Sequence, residues 1–247
     1  MTSARFGQLA SFLPDAPSTQ DIVRAAAGNL GPEGFIAVAD QQTAGRGRRG
    51  RTWSAEPGQC LMFSILLRPD TPIEALAPLT LVAGIAVAEA LPVEARLRWP
   101  NDVVIGGAKL AGILAELEAP ADREPYVILG IGINVNVPAG DLPDTDRLPA
   151  TSLLVETGET TDRLALLQTV IDRLQAAYRE FEELGFRALF DRYAALDDLA
   201  GAELEVETPA GTITGVGRGV DATGRLVVRL EDGRDRAFDA GEVTRVR

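Results

Sequence analysis

Short apolar runs, separated by glycine, proline and acidic residues, divide the first half of the chain into predicted strands and helices. A short continuous apolar run indicates a buried strand, and an alanine- or leucine-rich run indicates a helix. The pattern predicts a helix over 21–27, capped by the hydroxyl residues before it, and a buried, almost wholly apolar helix over about 79–91. It predicts strands over 35–39, 60–67, 96–99, 103–105, 109–117 and 126–135.

The order of these elements indicates the fold class. Gly106-Gly107 suits a tight hairpin turn, and the strands from residue 96 onward follow one another with short connections. We therefore expect an α+β fold with a mixed or antiparallel sheet, a central strand at 35–39 and flanking helices, rather than alternating βαβ units. Residues 138–150 hold three prolines and are predicted to form a loop. Two amphipathic helices are predicted over 162–184 and 186–196.

The pattern changes after Gly201, where short strands alternate with turn residues. Strands are predicted over 203–208, 212–220, 225–230 and 236–238, a spacing typical of a small β-barrel. We therefore predict two domains, a large one over residues 1–199 and a small one over residues 200–247. A unit as small as the second is marginally stable alone, so we expect it to pack on the first.

Composition excludes several classes of function. The chain has 247 residues, a formal net charge of −12, no histidine and one cysteine. The acidic balance argues against a general nucleic-acid binder and against an anionic membrane surface as partner. Without histidine there is no Ser-His-Asp triad, no Cys-His pair and no His-ligated zinc site. Cys60 lies in an apolar run, which favours a buried hydrophobe over a nucleophile. No signal peptide or membrane span is found, so we expect a cytoplasmic protein.

One local cluster opposes the global charge. Residues 45–51 read Gly-Arg-Gly-Arg-Arg-Gly-Arg, with Trp53 two positions on. Glycines let backbone amides approach an anion, guanidinium groups bind phosphate or carboxylate in pairs, and an indole face stacks on a base. The run also matches G-x-G-x-x-G, but no strand directly precedes it and no helix can follow it, which disfavours a dinucleotide fold. A solvated basic loop stays open as the alternative.

Three further segments carry candidate chemistry. Residues 98–102 read Arg-Trp-Pro-Asn-Asp, and Asp102 could hold Mg²⁺ through its carboxylate, although an ordinary turn is favoured for this segment taken alone. Lys109 opens an otherwise apolar strand, where a surface lysine is the simpler interpretation. Gly112, and the two glycines of 130–134 (Gly-Ile-Gly-Ile-Asn), hint that a ligand or backbone lies close to these strands.

Together these motifs resemble those of the biotin protein ligases. The matching stretches, in the family's order, are 42–51 with Trp53, then 99–102, 109–114 (Lys-Leu-Ala-Gly-Ile-Leu) and 130–134. The resemblance implies a class II synthetase-like ligase domain followed by an SH3-like C-terminal domain. It also implies an ATP- and Mg²⁺-dependent enzyme that converts biotin to biotinyl-5′-AMP. Biotin then passes to one lysine of a biotin carboxyl carrier protein, a subunit of acetyl-CoA carboxylase.

The resemblance also implies residue roles. Lys109, Arg46 and Asp102 are expected to be catalytic, with Asp102 also holding Mg²⁺. Biotin is expected to contact a set of polar, cationic and glycine residues, namely Ser18, Thr19, Gln20, Gln42, Arg46, Gly47, Arg48, Lys109 and Gly112. ATP is expected to contact Arg48, Arg51, Trp53, Asn101 and Asn134. The chemistry suits these residue types, because a carboxylate must approach an α-phosphate and the two anions repel each other. Each pair of like unit charges ~4 Å apart costs about 4 kcal/mol, which cationic residues can offset.

Some alternatives remain open. Some bacterial members begin with a helix-turn-helix repressor domain, and only 17 residues precede Ser18, so we expect no DNA binding. No membrane partner is expected, and a homodimer is left open. A lipoate ligase or acyltransferase of similar fold is the nearest alternative function. A non-catalytic nucleotide-binding module is the alternative from another class.

Overall fold

In a computed structural model, the protein is described over residues 6–121, 124–144, 148–208, 211–239 and 241–245. A part of the predicted 138–150 loop therefore lies outside the described residues. The larger of two sheets contains β1 (Ala10–Ala16), β2 (Ile36–Gln42), β3 (Cys60–Leu67), β4 (Arg96–Arg98), β5 (Asp102–Ile105), β6 (Ala108–Glu118) and β7 (Tyr126–Asn134). The helices are α1 (Thr19–Gly28), α2 (Leu79–Ala90), α3 (Leu153–Thr157), α4 (Arg163–Leu184) and α5 (Phe190–Leu196).

The larger sheet is mixed, as predicted. Its strand order is β1-β2-β3-β7-β6-β5-β4, and only the β1–β2 pair is parallel. The run predicted as a central strand becomes β2, which is paired on both sides but lies second from the edge. Strand β1, which the sequence did not predict, lies outside it. Pro14 within β1 is compatible with an edge strand, because proline cannot donate to a neighbouring strand.

The two faces of β3 divide the protein into layers. Phe63 and Ile65 belong to the main hydrophobic core, which includes the buried residues of α2 and α4. Alternate residues point the other way: Leu66 packs with α1, and Ser64 contacts the first residue of α1. Because side chains alternate across a strand, one face of β3 builds the core and the other borders a polar cavity.

Two helix ends differ from their predictions. Ser18 occupies the cap position of α1 with an extended backbone, but its side chain makes no capping hydrogen bond, so the predicted hydroxyl cap is wrong. The helix predicted over 186–196 begins as a 3-10 turn over Phe186–Leu189 before α5. Helix α4 is capped as expected at such a position, because Asp162 Oδ1 accepts from the backbone N–H of Leu164 at 2.8 Å. No helix in the described parts of the chain is long and apolar enough to cross a membrane.

The C-terminal strands form a second, antiparallel sheet, as predicted. Its strands are β8 (Glu203–Thr208), β9 (Gly211–Val220), β10 (Leu226–Arg229), β11 (Asp235–Phe238) and β12 (Glu242–Arg245), and the order is β11-β10-β9-β8-β12. The sequence did not predict β12. Buried residues of this sheet belong to the same core as Leu97 and Trp99, so the small unit does pack on the large one. The domain boundary at residue 199 stays a prediction.

The segment that joins α5 to β8 buries a carboxyl group. Asp197 is 9% exposed, and its Oδ1 accepts from the Leu199 backbone N–H at 2.9 Å. Its Oδ2 is buried without a hydrogen-bond partner among the described residues. Burial, together with the negative charge of the neighbouring Asp198, raises the pKa of Asp197 to about 6.

This burial predicts a pH dependence of stability. The native pKa of Asp197 lies above the value of about 3.9 in an unfolded chain, so the native state holds more protons between about pH 4 and pH 6. The contribution to the free energy of unfolding is therefore fully present below pH 4 and is lost as the pH rises through 6, by on the order of 2–3 kcal/mol. Urea unfolding at pH 4.5 and pH 7.5 should show a smaller pH difference for Asp197→Asn than for wild type. An equal difference in both would contradict the assignment, and Asp172→Asn, on the exposed face of α4, is the control.

Candidate active site

A cavity of about 750 Å³ lies between the N-terminus of α1, the arginine loop (residues 45–51) and strands β3, β6 and β7. All fourteen residues predicted from the sequence to form the site line this one cavity. They are Ser18, Thr19, Gln20, Gln42, Arg46, Gly47, Arg48, Arg51, Trp53, Asn101, Asp102, Lys109, Gly112 and Asn134. The structure therefore brings the predicted set together, and the role of each member remains a prediction.

One end of the cavity is a network of uncharged polar groups. The backbone N–H of Thr19 donates to Gln42 Oε1 at 2.8 Å, and the Thr19 hydroxyl lies 2.7 Å from Ser64 Oγ. These contacts fix the orientation of the Gln42 amide at the N-terminus of α1. The motifs missed Ser64, although it is the single hydroxyl in an otherwise apolar strand. Such a residue, fully buried, needs a polar partner.

Glycines form the floor of the cavity. Gly112 of β6 and Gly132 of β7 are direct partners across the sheet. The indole of Trp53 lies on this pair: a Cβ added at Gly132 would lie 2.6 Å from Cε2 of the ring, and one at Gly112 3.0 Å from Cζ3. At Gly130 the approaching group is the Gln20 side chain, 3.1 Å from an added Cβ. The close approach predicted from these glycines is thus made by side chains of the protein itself.

This packing predicts a large effect of a single methyl group. In Gly132→Ala the indole of Trp53 must move, because a rigid ring cannot absorb a contact of 2.6 Å. We expect altered tryptophan fluorescence and weaker binding of ligands in the cavity. Gly140→Ala is the matched control, since an added Cβ there meets nothing within 4 Å. Unchanged fluorescence and ligand binding in Gly132→Ala would show that the ring does not rest on this floor.

Lys109 and Asp102 form an ion pair at the cavity wall. The Lys109 ammonium lies 2.7 Å from Asp102 Oδ1 and 5.6 Å from the centre of the Trp53 ring. The backbone of Lys109 is fixed on both sides, because its N–H donates to Pro149 and its carbonyl accepts from Thr151. Lys109 is also the only lysine in the chain. A partly exposed, oriented ammonium at this place can neutralise an anion in the cavity.

The two asparagines fix neighbouring segments. Asn101 donates to the Ile113 carbonyl and accepts from Arg48, both at 3.0 Å, so it connects the arginine loop to β6. Asn134 donates to the Thr151 carbonyl at 2.9 Å and lies 3.4 Å from the thiol of Cys60. Cys60 is buried, which confirms the prediction of a buried side chain, and burial raises the pKa of its thiol to about 12.

The arginine loop closes one side of the cavity. Arg46 lies 2.8 Å from Asp21 on α1 and 3.5 Å from Glu116 on β6, so its guanidinium group anchors the loop. Arg51 donates to the carbonyl of Arg48, and a 3-10 turn over Arg48–Gly50 is the only helical piece between β2 and β3 in the described residues. A G-x-G-x-x-G motif of a dinucleotide fold would open a long helix here, so that interpretation is excluded.

Charge in the cavity opposes the charge of the chain. Among the described residues that line it are five cationic side chains and three carboxylates: Arg46, Arg48, Arg51, Arg98 and Lys109, against Glu56, Asp102 and Asp141. No group of three metal-ligating side chains occurs in the described residues. Cationic side chains therefore outnumber carboxylates in the described lining, although Arg46 and Arg98 are paired with carboxylates outside it.

Two family models match the chain. The model described as the biotin/lipoate A/B protein ligase family covers residues 16–134, and the one described as the biotin protein ligase C-terminal domain covers residues 201–245. The first model places residues 16–134 in the class of biotin and lipoate protein ligases.

Individual similar proteins are biotin protein ligases. The chain is 35% identical over 236 residues to a biotin–[acetyl-CoA-carboxylase] ligase of Mycobacterium tuberculosis, covering 92% of this chain and 85% of the relative. It is 38% identical over 230 residues to the bifunctional ligase/repressor of Bacillus subtilis, covering 90% and 70%. A structure of biotin protein ligase from Aquifex aeolicus, in complex with biotin and ATP, matches with a TM-score of 0.80 and 30% identity, covering 96% and 99%. The chain belongs to the biotin protein ligase family.

Proposed function

We propose that this chain joins biotin to ATP as biotinyl-5′-AMP and then transfers biotin to a lysine of a biotin carboxyl carrier protein. The observation that carries the proposal is the single cavity in which a polar end, an arginine loop and an ion-paired lysine meet. Its two ends differ as the two substrates do. The uncharged end at Thr19 and Gln42 suits the ureido ring of biotin, and the cationic end suits a triphosphate.

In the first step, an oxygen of the biotin carboxylate attacks the α-phosphorus of ATP, and the bond to pyrophosphate breaks. Two anions must approach each other, so the main task of the protein is positioning and charge neutralisation. Lys109 is placed to neutralise both the carboxylate and the α-phosphate. Arg48 and Arg51 are placed to bind phosphate oxygens, and Trp53 offers a face to the adenine base.

In the second step, the amine of the carrier lysine attacks the biotinyl carbonyl, and AMP leaves. The amine must lose a proton, and Asp102, the carboxylate beside Lys109, is the group placed to accept it. The arginine loop covers the cavity meanwhile and keeps water from the mixed anhydride.

Magnesium fits this site as a companion of ATP. Mg²⁺ accepts one or two carboxylates together with phosphate oxygens, and Asp102 supplies one carboxylate at the cationic end of the cavity. When bound, the ion adds positive charge at the phosphates. We propose that it enters with the nucleotide.

The relatives support the protein partner. Two of them are named biotin–[acetyl-CoA-carboxylase] ligase, which supports a carboxylase carrier subunit as the protein substrate. The cytoplasm as the place of action stays a prediction. The absence of DNA binding stays a prediction, and so does the homodimer.

The test is biotin-dependent exchange between ATP and labelled pyrophosphate, followed by transfer to a purified carrier domain. We expect exchange with biotin and none with lipoate. Exchange with lipoate alone would make the chain a lipoate ligase. No exchange with either acid would leave a nucleotide-binding module and overturn the proposal.

A further inference from the structure

A buried ion pair connects the active-site strand β4 to the segment that leads into the C-terminal sheet. Asp198 Oδ2 lies 2.7 Å from Nε and 2.5 Å from an Nη atom of Arg98. Both side chains are almost fully buried, at 6% and 8% exposure. A buried pair of charges contributes little net stability, because desolvation offsets the attraction, but it strongly fixes the geometry of its partners.

Other contacts hold the same strand from the same side. The Asp198 backbone N–H donates to the carbonyl of Leu97 at 3.0 Å. The indole N–H of Trp99 donates at 2.9 Å to the carbonyl of Gly224, in the turn between β9 and β10 of the C-terminal sheet. Arg245 of β12 also lies 3.4 Å from Asp198 Oδ1. Three consecutive residues of the large domain, 97–99, are therefore fixed by the junction segment and the C-terminal sheet.

These three residues lead directly into the catalytic turn. Arg98 pairs with Asp102 across the β4–β5 hairpin, and Asn101 lies in the turn between them. Asp102 holds Lys109, and Asn101 holds Arg48. A shift of β4 is therefore passed to both cationic groups at the ATP end of the cavity. The uncharged end, where the ureido ring of biotin is proposed to bind, is built on α1, β2 and β3. Of the cationic side chains assigned to biotin, only Arg48 and Lys109 are linked to this strand.

We propose that Arg98 and Asp198 are positioning residues, through which the C-terminal sheet and its junction set Asp102 and Lys109 for adenylation. The inference rests on the proposed function, because it assigns these residues to the adenylation step. In this proposal the C-terminal sheet helps to position catalytic residues of the larger sheet. Neither residue is expected to touch the reacting atoms.

The test separates catalysis from binding in the full-length protein. In Asp198→Asn we expect kcat of pyrophosphate exchange to fall by about 10²-fold, the effect of roughly 1 Å of misplacement, and the KM for ATP to rise. The Kd for biotin, measured by calorimetry without ATP, should weaken by much less than kcat falls, because the contacts at Thr19 and Gln42 do not involve β4. Arg98→Lys keeps the positive charge, so its kcat of pyrophosphate exchange should fall by less than that of Asp198→Asn. Asp235→Asn breaks an exposed ion pair with Arg229 in the same sheet, and as a control it should match wild type.

Two outcomes would overturn the inference: a folded Asp198→Asn variant with unchanged kcat, or a biotin Kd that weakens by the same factor as kcat. Should Asp198→Asn fail to fold, Arg98→Lys and Trp99→Phe are judged by the same two readouts. Trp99→Phe removes the hydrogen bond to Gly224 together with part of a buried ring. The wild-type protein decides the proposed function separately, since it must form biotinyl-5′-AMP whatever the variants do.

Discussion

Replacing Lys109 with alanine is expected to slow biotin adenylation by about 10²–10³-fold, the typical cost of removing one charge-stabilising donor from an active site. The ammonium is held 2.7 Å from Asp102 at the cavity wall, and only the side chain is lost, because the backbone contacts to Pro149 and Thr151 do not depend on it. The measurement is biotin-dependent pyrophosphate exchange, with circular dichroism to show that the fold persists.

A second substrate makes this experiment more specific. If Lys109 acts mainly in the first step, transfer to the carrier from added biotinyl-5′-AMP should fall by less than adenylation does. Lys109→Arg keeps the charge but not the position, so its adenylation rate should lie between those of alanine and wild type. Near-normal exchange by the folded alanine variant would remove Lys109 from the mechanism.

Arg46→Gly is expected to release biotinyl-5′-AMP and to spread labelling from the carrier to other proteins. Arg46 anchors the arginine loop to Asp21 and Glu116, and these pairs are about one-third exposed, so each is worth up to about 1 kcal/mol. Losing both should open the loop severalfold more often, up to about thirtyfold. The readout is biotin on a lysine-rich bystander protein mixed with the carrier.

Asp21→Asn is the matched variant, because it weakens the same anchor without changing the loop. It should also increase labelling of the bystander protein, but by less than Arg46→Gly does, since Glu116 still holds the guanidinium group. Labelling that stays confined to the carrier in both variants would mean that closure of the loop does not shield the adenylate.

The sequence predicted those elements whose signal is local. The buried strands β3 and β7 are almost continuous apolar runs, and α2 is almost wholly apolar, in keeping with its cover by the sheet and α4. Strand β1 gave no such signal, since Pro14 and Asp15 interrupt it and its parallel partner lies twenty residues away. Strand β12 was missed for the same reason: it pairs with β8, at the opposite end of its domain.

The site shows the same division. Motifs located Lys109, Asp102 and the arginine loop, because each stands in a short stretch of sequence that can be recognised by itself. Their partners could not be found in this way. Asp21, Glu116 and Asp198 are ordinary acidic residues in the sequence, and only the fold brings them to Arg46 and Arg98. The sequence thus identified the groups that meet substrate better than the groups that hold them in place.

The solitary amine of Lys109 makes the active site spectroscopically visible. Growth on isotope-labelled lysine would introduce one side-chain probe into the entire protein, at the wall of the cavity. Its NMR signal would need no assignment, and it would report directly on the arrival of each substrate.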